Sequence, residues 1–325
     1  MKTTKKLLAS AVAASLVGAM TVPAHADIEL GEGLSVTGFI DMSFYSVDDD
    51  ATDETSHDFG IDQVETDFLY TGKDGITAQV DIEYSQDENG DETTFVEQAF
   101  ITKDFGGGLS VTAGRFLSYT GWETEEPTGL YQYSGTGYGG AFYGGYQQGV
   151  SAYYDTESVD FMFSVVNDAF DPNESDNEKL AFEAGVALSP VEGLTAKLFY
   201  VSDDEIDLIN VWASYEVSGW TLAAEYNMGD YGSAGVDMDF GSLVEEGDGY
   251  LLMANYAWSD FGITARYHDW STEDTAGATN HENSAITLAP SYAVSDNLLL
   301  VAEIRLDETD DEDSTAIALE ALFTF

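Results

Sequence analysis

Carboxylates are this chain's main chemical resource. It carries 61 Asp and Glu against 10 Lys and Arg, a formal net charge of −51 over 325 residues, and no Cys. The missing Cys removes thiolate metal sites, thiol nucleophiles and disulfides together. His occurs four times, at positions 25, 57, 268 and 281, and no pair has metal-ligand spacing. Asp171, Asn173 and Ser175 alternate oxygen ligands, but the Gly and the distal Glu of an EF-hand loop are missing. No nucleophile elbow or Ser-His-Asp grouping stands out, and Gly137–Gly145 lacks the Lys-Ser/Thr of a phosphate loop. Glu125 and Glu126 read as a solvated pair rather than an acid/base couple. A chain without a basic face does not hold nucleic-acid phosphates. The expectation is therefore no catalytic residue, no cofactor, no metal site and no nucleic-acid partner. What the acids can do collectively is attract cations and repel anions.

Acidity of this degree often accompanies disorder, but 44% apolar and 13% aromatic residues are too many for that. The elements that must carry the acids show a period of two. Ile76, Ala78, Val80, Ile82 and Tyr84 interleave with Thr77, Gln79, Asp81, Glu83 and Ser85. Trp220, Leu222, Ala224, Tyr226 and Met228 interleave with Thr221, Glu225 and Asn227. These are strands with one apolar and one polar face. A soluble sandwich would bury the apolar face, whereas a transmembrane barrel would turn it to lipid. Many stretches run about 9–12 residues, the length that crosses a bilayer at a tilt. Tyr84, Phe105, Tyr119, Phe261 and Trp270 stand at strand ends, as interfacial girdles would.

The connections point the same way. Short turns fall at 73–75, 103–107, 156–157, 189–193, 218–219, 259–261 and 295–297. Longer acidic loops alternate with them at 47–58, 86–93, 118–138, 168–178, 203–206, 230–248, 271–282 and 307–313. Fifteen connections join about sixteen strands. The expected fold is all-β: a transmembrane antiparallel β-barrel with short periplasmic turns and long acidic extracellular loops. Pro290 falls inside the fourteenth strand, where a bulge or a later strand start would accommodate it. Lys2, Lys5 and Lys6, the apolar run Leu7–Met20 and Ala24-His25-Ala26 form a secretory signal peptide over 1–26, cleaved between Ala26 and Asp27. Residues 27–325 are then the barrel. The last strand ends Ile317, Leu319, Ala321, Phe323, Phe325 on one face. A terminal Phe there resembles the signal that Gram-negative barrel-assembly machinery reads.

Acids on the lipid face would cost kilocalories, so the polar faces must line the lumen. Asp41, Glu65, Asp67, Asp81, Glu83, Asp160, Glu183, Glu225, Glu303 and Glu320 are placed inward, opposed by Lys197, Arg266 and Arg305. Such a lumen favours cations. A sixteen-strand barrel leaves an aqueous channel, which something must narrow. The loop 118–138 follows strand five. It carries Trp122, Glu123, Glu125, Glu126, Pro127, Tyr131 and Tyr133, and we expect it to fold inward as the constriction.

Gln98-Ala99-Phe100-Ile101, Gly107-Gly108-Leu109, Ala113-Gly114-Arg115-Phe116, Gly121 and Glu123 together resemble the β-barrel porin family described as OmpL-like. Val166-Asn167-Asp168 and Asp176-Asn177 resemble that family's next region. Arg115 stands where the family usually has Lys, and Phe100 where it has Tyr. The resemblance implies a passive channel of the Gram-negative outer membrane. General porins also place an inward loop after strand five and oppose its carboxylates with wall arginines. On that comparison Arg115 joins the constriction, although strict alternation after Val111 and Ala113 turns it outward unless a bulge intervenes near Gly114. The implied partners are outer-membrane lipid and lipopolysaccharide, small solutes and cations, and two further copies of the chain in a homotrimer. Three functions fit: a cation-preferring diffusion porin, a substrate-selective channel in which Tyr119, Trp122, Tyr131 and Tyr133 stack on a solute, or a closed adhesive barrel.

Overall fold

The computed structural model describes residues 28–49, 54–86, 92–171, 179–233, 235–238, 242–310 and 312–325. The expected signal segment 1–26 with the expected cleavage pair Ala26 and Asp27, and Asn173, Ser175, Asp176 and Asn177, lie outside these residues. Sixteen strands form the wall: β1 (Leu34–Asp49), β2 (Glu54–Thr71), β3 (Ile76–Gln86), β4 (Glu92–Gly106), β5 (Leu109–Leu117), β6 (Tyr146–Tyr154), β7 (Val159–Val166), β8 (Ala181–Val191), β9 (Leu194–Asp203), β10 (Ile206–Val217), β11 (Trp220–Asp230), β12 (Leu243–Trp258), β13 (Phe261–Asp274), β14 (Thr279–Ser295), β15 (Leu298–Thr309) and β16 (Glu312–Thr324). Each pairs antiparallel with its sequence neighbours, and β16 pairs with β1 to close the barrel. Two short strands, Ile28–Gly31 and Val236–Asp237, pair with β1 and β12. The chain end seals the closure, because Phe325 exchanges backbone hydrogen bonds with Gly38 at 3.0 and 3.1 Å.

Burial along the strands is inverted relative to a soluble protein. In β11, Trp220, Leu222, Tyr226 and Met228 are exposed, while Thr221, Glu225 and Asn227 are buried. Apolar side chains thus face outward to lipid and polar ones inward. Only a membrane barrel makes that arrangement favourable.

The strands are longer than the alternation alone marks out. β2 has 18 residues and β14 has 17. The strands reach into six of the expected loops, leaving 50–53 of 47–58, 87–91 of 86–93, 204–205 of 203–206, 231–242 of 230–248, 275–278 of 271–282 and 310–311 of 307–313 between them. Above the bilayer both faces of a hairpin can be polar, so pairing continues where the amphipathic signal has ended. Pro290 needs neither a bulge nor a later start. It sits opposite Ile263, and the β14–β15 register runs unchanged from Leu288↔Ile304 to Ser291↔Val301.

Candidate constriction

Loop 118–145 leaves β5 and enters the lumen, seven residues longer than expected because Gly139–Phe142 forms a helical turn before β6 begins. Its amides find carboxylate acceptors on the wall. Tyr119 N–H donates to Glu183 Oε1 at 2.9 Å, Trp122 N–H to Glu225 Oε1 at 2.8 Å and Ser134 N–H to Glu303 Oε2 at 3.1 Å. Tyr138 and Tyr143 hydroxyls both donate to Glu225 Oε2, the former at 2.5 Å. These three glutamates, expected as lumen lining, are docking points for the loop.

The wall arginines hold the same loop. Arg266 Nη1 donates to Glu123 Oε1 at 2.6 Å and to the Ser134 carbonyl at 2.5 Å, and Nη2 to the Gly135 carbonyl at 3.2 Å. Arg305 Nη1 donates to the Gly135 carbonyl at 2.8 Å, and its guanidinium also pairs with Asp307. Thr264 Oγ1 donates to the Tyr131 carbonyl at 2.7 Å. Charge-assisted bonds of this kind are roughly twice as strong as neutral ones. The loop is thereby clamped to β13–β15 on one side and to β8–β11 on the other.

Its aromatic rings are also spent on docking. Trp122 stacks on Tyr131 at 6.2 Å between centroids and meets the Trp212 edge at 5.3 Å. Tyr133 shares a hydrogen bond with Ser43 at 3.1 Å, and Phe142 packs edge-on against Trp270. Tyr131 is 8% exposed, so it is not presented for solute stacking as the sequence suggested. Burial pushes the Tyr119 and Tyr131 hydroxyls up to about 12, so both stay protonated near neutrality.

Arg115 is a correction. The β4–β5 register runs without a shift through Ala99↔Arg115, Phe100↔Gly114 and Ile101↔Ala113. No bulge turns Arg115 inward. It lies on the outer face with exposed Ala113 and donates from Nη1 to the Val96 carbonyl at 3.0 Å. Gly114 is glycine for another reason: its φ is +138°, and a Cβ there would stand 2.2 Å from the Ala99 carbonyl oxygen.

Bulges occur elsewhere, and they supply lumenal acids that alternation hides. The β3–β4 register steps from Asp81↔Gln98 to Ile82↔Val96, leaving Glu97 between, 3% exposed beside inward Gln98. The β1–β2 register steps from Asp41↔Gln63 to Met42↔Ile61, which brings in Asp62. No local signal marks either residue; the cost of a lipid-facing carboxylate is the available argument.

On the β2–β4 wall the acids crowd. Asp81 is fully buried and accepts from Gln79 and Gln98, each at 2.8 Å. Glu83 lies buried on the same face. Glu126 of the loop accepts from Gln63 at 2.9 Å and from Tyr146 at 3.2 Å. Glu125 stays open to the channel. Lost hydration first, and the Glu83 charge second, raise its carboxyl above the ordinary range. Glu126 is raised by lost hydration against the pull of its hydrogen bonds. Beneath the loop lies a cavity of about 320 Å³ bordered by Tyr119, Glu125, Tyr153, Asp160 and Lys197. Lys197 Nζ lies 5.0 Å from the Trp212 ring centroid. Two carboxylate triads, Glu65–Asp67–Asp81 and Glu65–Glu97–Glu126, have the spacing of metal ligands.

A closed sixteen-strand barrel with lipid-facing aromatics and an inward loop defines an outer-membrane channel. The chain belongs to the Gram-negative porin family, whose model matches residues 9–312. Solved structures agree on the fold. An anion-selective porin from Comamonas acidovorans superposes with a TM-score of 0.68 at 15% identity, covering 90% of this chain and 99% of that one. OmpF of Salmonella typhi, in complex with daunomycin, gives 0.67 at 15%, covering 90% and 98%. The trimer form of OmpT from Vibrio cholerae gives 0.63 at 15%, covering 90% and 99%. No curated protein sequence matches the chain. The protein is an outer-membrane, multi-pass β-barrel porin.

Proposed function

We propose that this porin passes small hydrophilic solutes and ions by passive diffusion, prefers cations, and performs no catalysis. The observation that carries the preference is the unequal use of wall charge. Arg266 and Arg305 are committed to the loop, while on the opposite side Glu125 stays open to the channel, with Asp81, Glu83 and Glu97 buried in the wall behind it. Fixed carboxylates in a narrow, low-dielectric passage raise the local cation concentration. A trimeric assembly, contact with lipopolysaccharide, and handling of the strand ending in Phe325 by the barrel-assembly machinery belong to the same reading. Residues 1–26 act as the cleaved export signal. Substrate selectivity is the second reading, favoured only by Tyr119 and Tyr153 at the cavity.

The test is single-channel recording in a planar bilayer under a tenfold KCl gradient. The expected result is a stable open conductance with a cation-selective reversal potential. Anion preference would overturn the proposal. Saturable block by one solute class would favour the second reading.

A further inference from the structure

We infer that the carboxylates of β2, β4 and the inward loop bind a divalent cation, with Ca²⁺ the best match, joining the constriction loop to the wall. Glu65 comes from β2, Glu97 from the β4 bulge and Glu126 from the loop. One oxygen of each lies within 4.8 Å of the others, and Glu65 also belongs to the adjoining triad with Asp67 and Asp81. Ca²⁺ takes six to eight oxygen ligands in flexible geometry, so carboxylates from three elements can share one ion. Mg²⁺ demands near-ideal octahedral geometry and gives up its waters reluctantly.

Two buried atoms point independently to a missing ligand. Glu97 Oε2 and Asp81 Oδ1 have no hydrogen-bond partner, although Glu97 is 3% exposed and Asp81 0%. A carboxylate oxygen stripped of water and given no donor costs free energy. The neighbouring donors do not meet this need. Gln63 Nε2 is divided between Glu126 at 2.9 Å and Glu65 at 3.4 Å, and the Tyr146 hydroxyl is shared between Glu126 and Glu97, which still leaves Glu97 Oε2 without a donor. The cations Arg266 and Arg305 sit on β13 and β15, paired with Glu123 and Asp307. A hard divalent cation satisfies both the charge and the unpartnered oxygen lone pairs. Shared protons between carboxyls are the competing solution, and the experiment separates the two.

Folded protein is stripped with EDTA, dialysed into 0.15 M KCl at pH 7.5, and titrated with CaCl₂ by isothermal calorimetry. One saturable event is expected, with Kd on the order of 10⁻⁴ M, typical of extracellular sites. Glu97→Gln and Glu126→Gln should each weaken it at least about tenfold. Glu205→Gln, at an exposed turn, should leave it unchanged. If Glu97→Gln fails to insert, Glu126→Gln on the loop carries the same test. Absence of a saturable event, or one unchanged in both cluster variants, overturns the inference in favour of shared protons or diffuse loop binding. A wild-type channel that conducts with cation preference yet shows no such event refutes this site alone and leaves the proposed function standing.

Discussion

Replacing Arg266 with Ala should release the constriction loop while leaving the barrel closed. The guanidinium is fully buried, and its partner Glu123 has a side chain only 8% exposed. Removing it strands the Glu123 carboxylate and frees the Ser134 and Gly135 carbonyls. Breaking a buried pair by deleting one partner costs about 3–5 kcal/mol. The loss falls on local opening of the loop, because the strand ladders do not involve this side chain. At about 1.4 kcal/mol per tenfold, the amides of Trp122 and Ser134 should exchange roughly 100- to 4,000-fold faster. Hydrogen exchange read by mass spectrometry over 118–145 measures this directly. Single-channel records should show a larger and noisier conductance. The double variant Arg266→Met with Glu123→Gln removes the pair together and should recover much of the protection. Unchanged exchange in Arg266→Ala, or additive losses in the double variant, would refute the clamp.

Further outcomes follow from the same geometry. Glu125→Gln should reduce the cation-selective reversal potential, whereas the double variant at Arg266 and Glu123, which deletes a neutral pair, should leave its sign unchanged; a reversed ranking would contradict the assignment of Glu125 as the open carboxylate. Glu125 and Glu126 have raised pKa values, so they lose negative charge at higher pH than ordinary carboxylates. Cation preference should therefore fall as pH drops, with a midpoint above the ordinary value of about 4.3, and a midpoint at or below that value would count against it. Val211→Arg, outward near the middle of β10, should cost about 2–4 kcal/mol in reversible urea refolding into lipid vesicles, and a neutral effect would contradict its lipid contact.

The period-two pattern made the barrel legible because alternation is a property of the extended backbone itself. Every second residue shares a face whatever the rest of the chain does. That rule placed Glu225 with Thr221 and Asn227 inside and Trp220 with Leu222 outside, and the strand count and strand-five loop came with it. The rule fails where the backbone leaves it. The bulges at Asp62 and Glu97 add one residue to one strand, and nothing in the local composition records them. Arg115 obeyed alternation, and the family comparison had drawn it toward the lumen.

By itself the sequence determined an exported, acidic, alternating chain whose polar faces must line water and whose apolar faces must meet lipid. Only the tertiary structure decided how the lumenal charges are used. Arg266 and Glu123 are 143 residues apart, and Ser134 and Glu303 are 169. Barrel closure brings them together, so acids and bases that read as a channel lining become the anchors of its constriction. Local propensity sets which face a side chain occupies, but the partner it finds there depends on the curvature, register and long-range pairing of the whole wall.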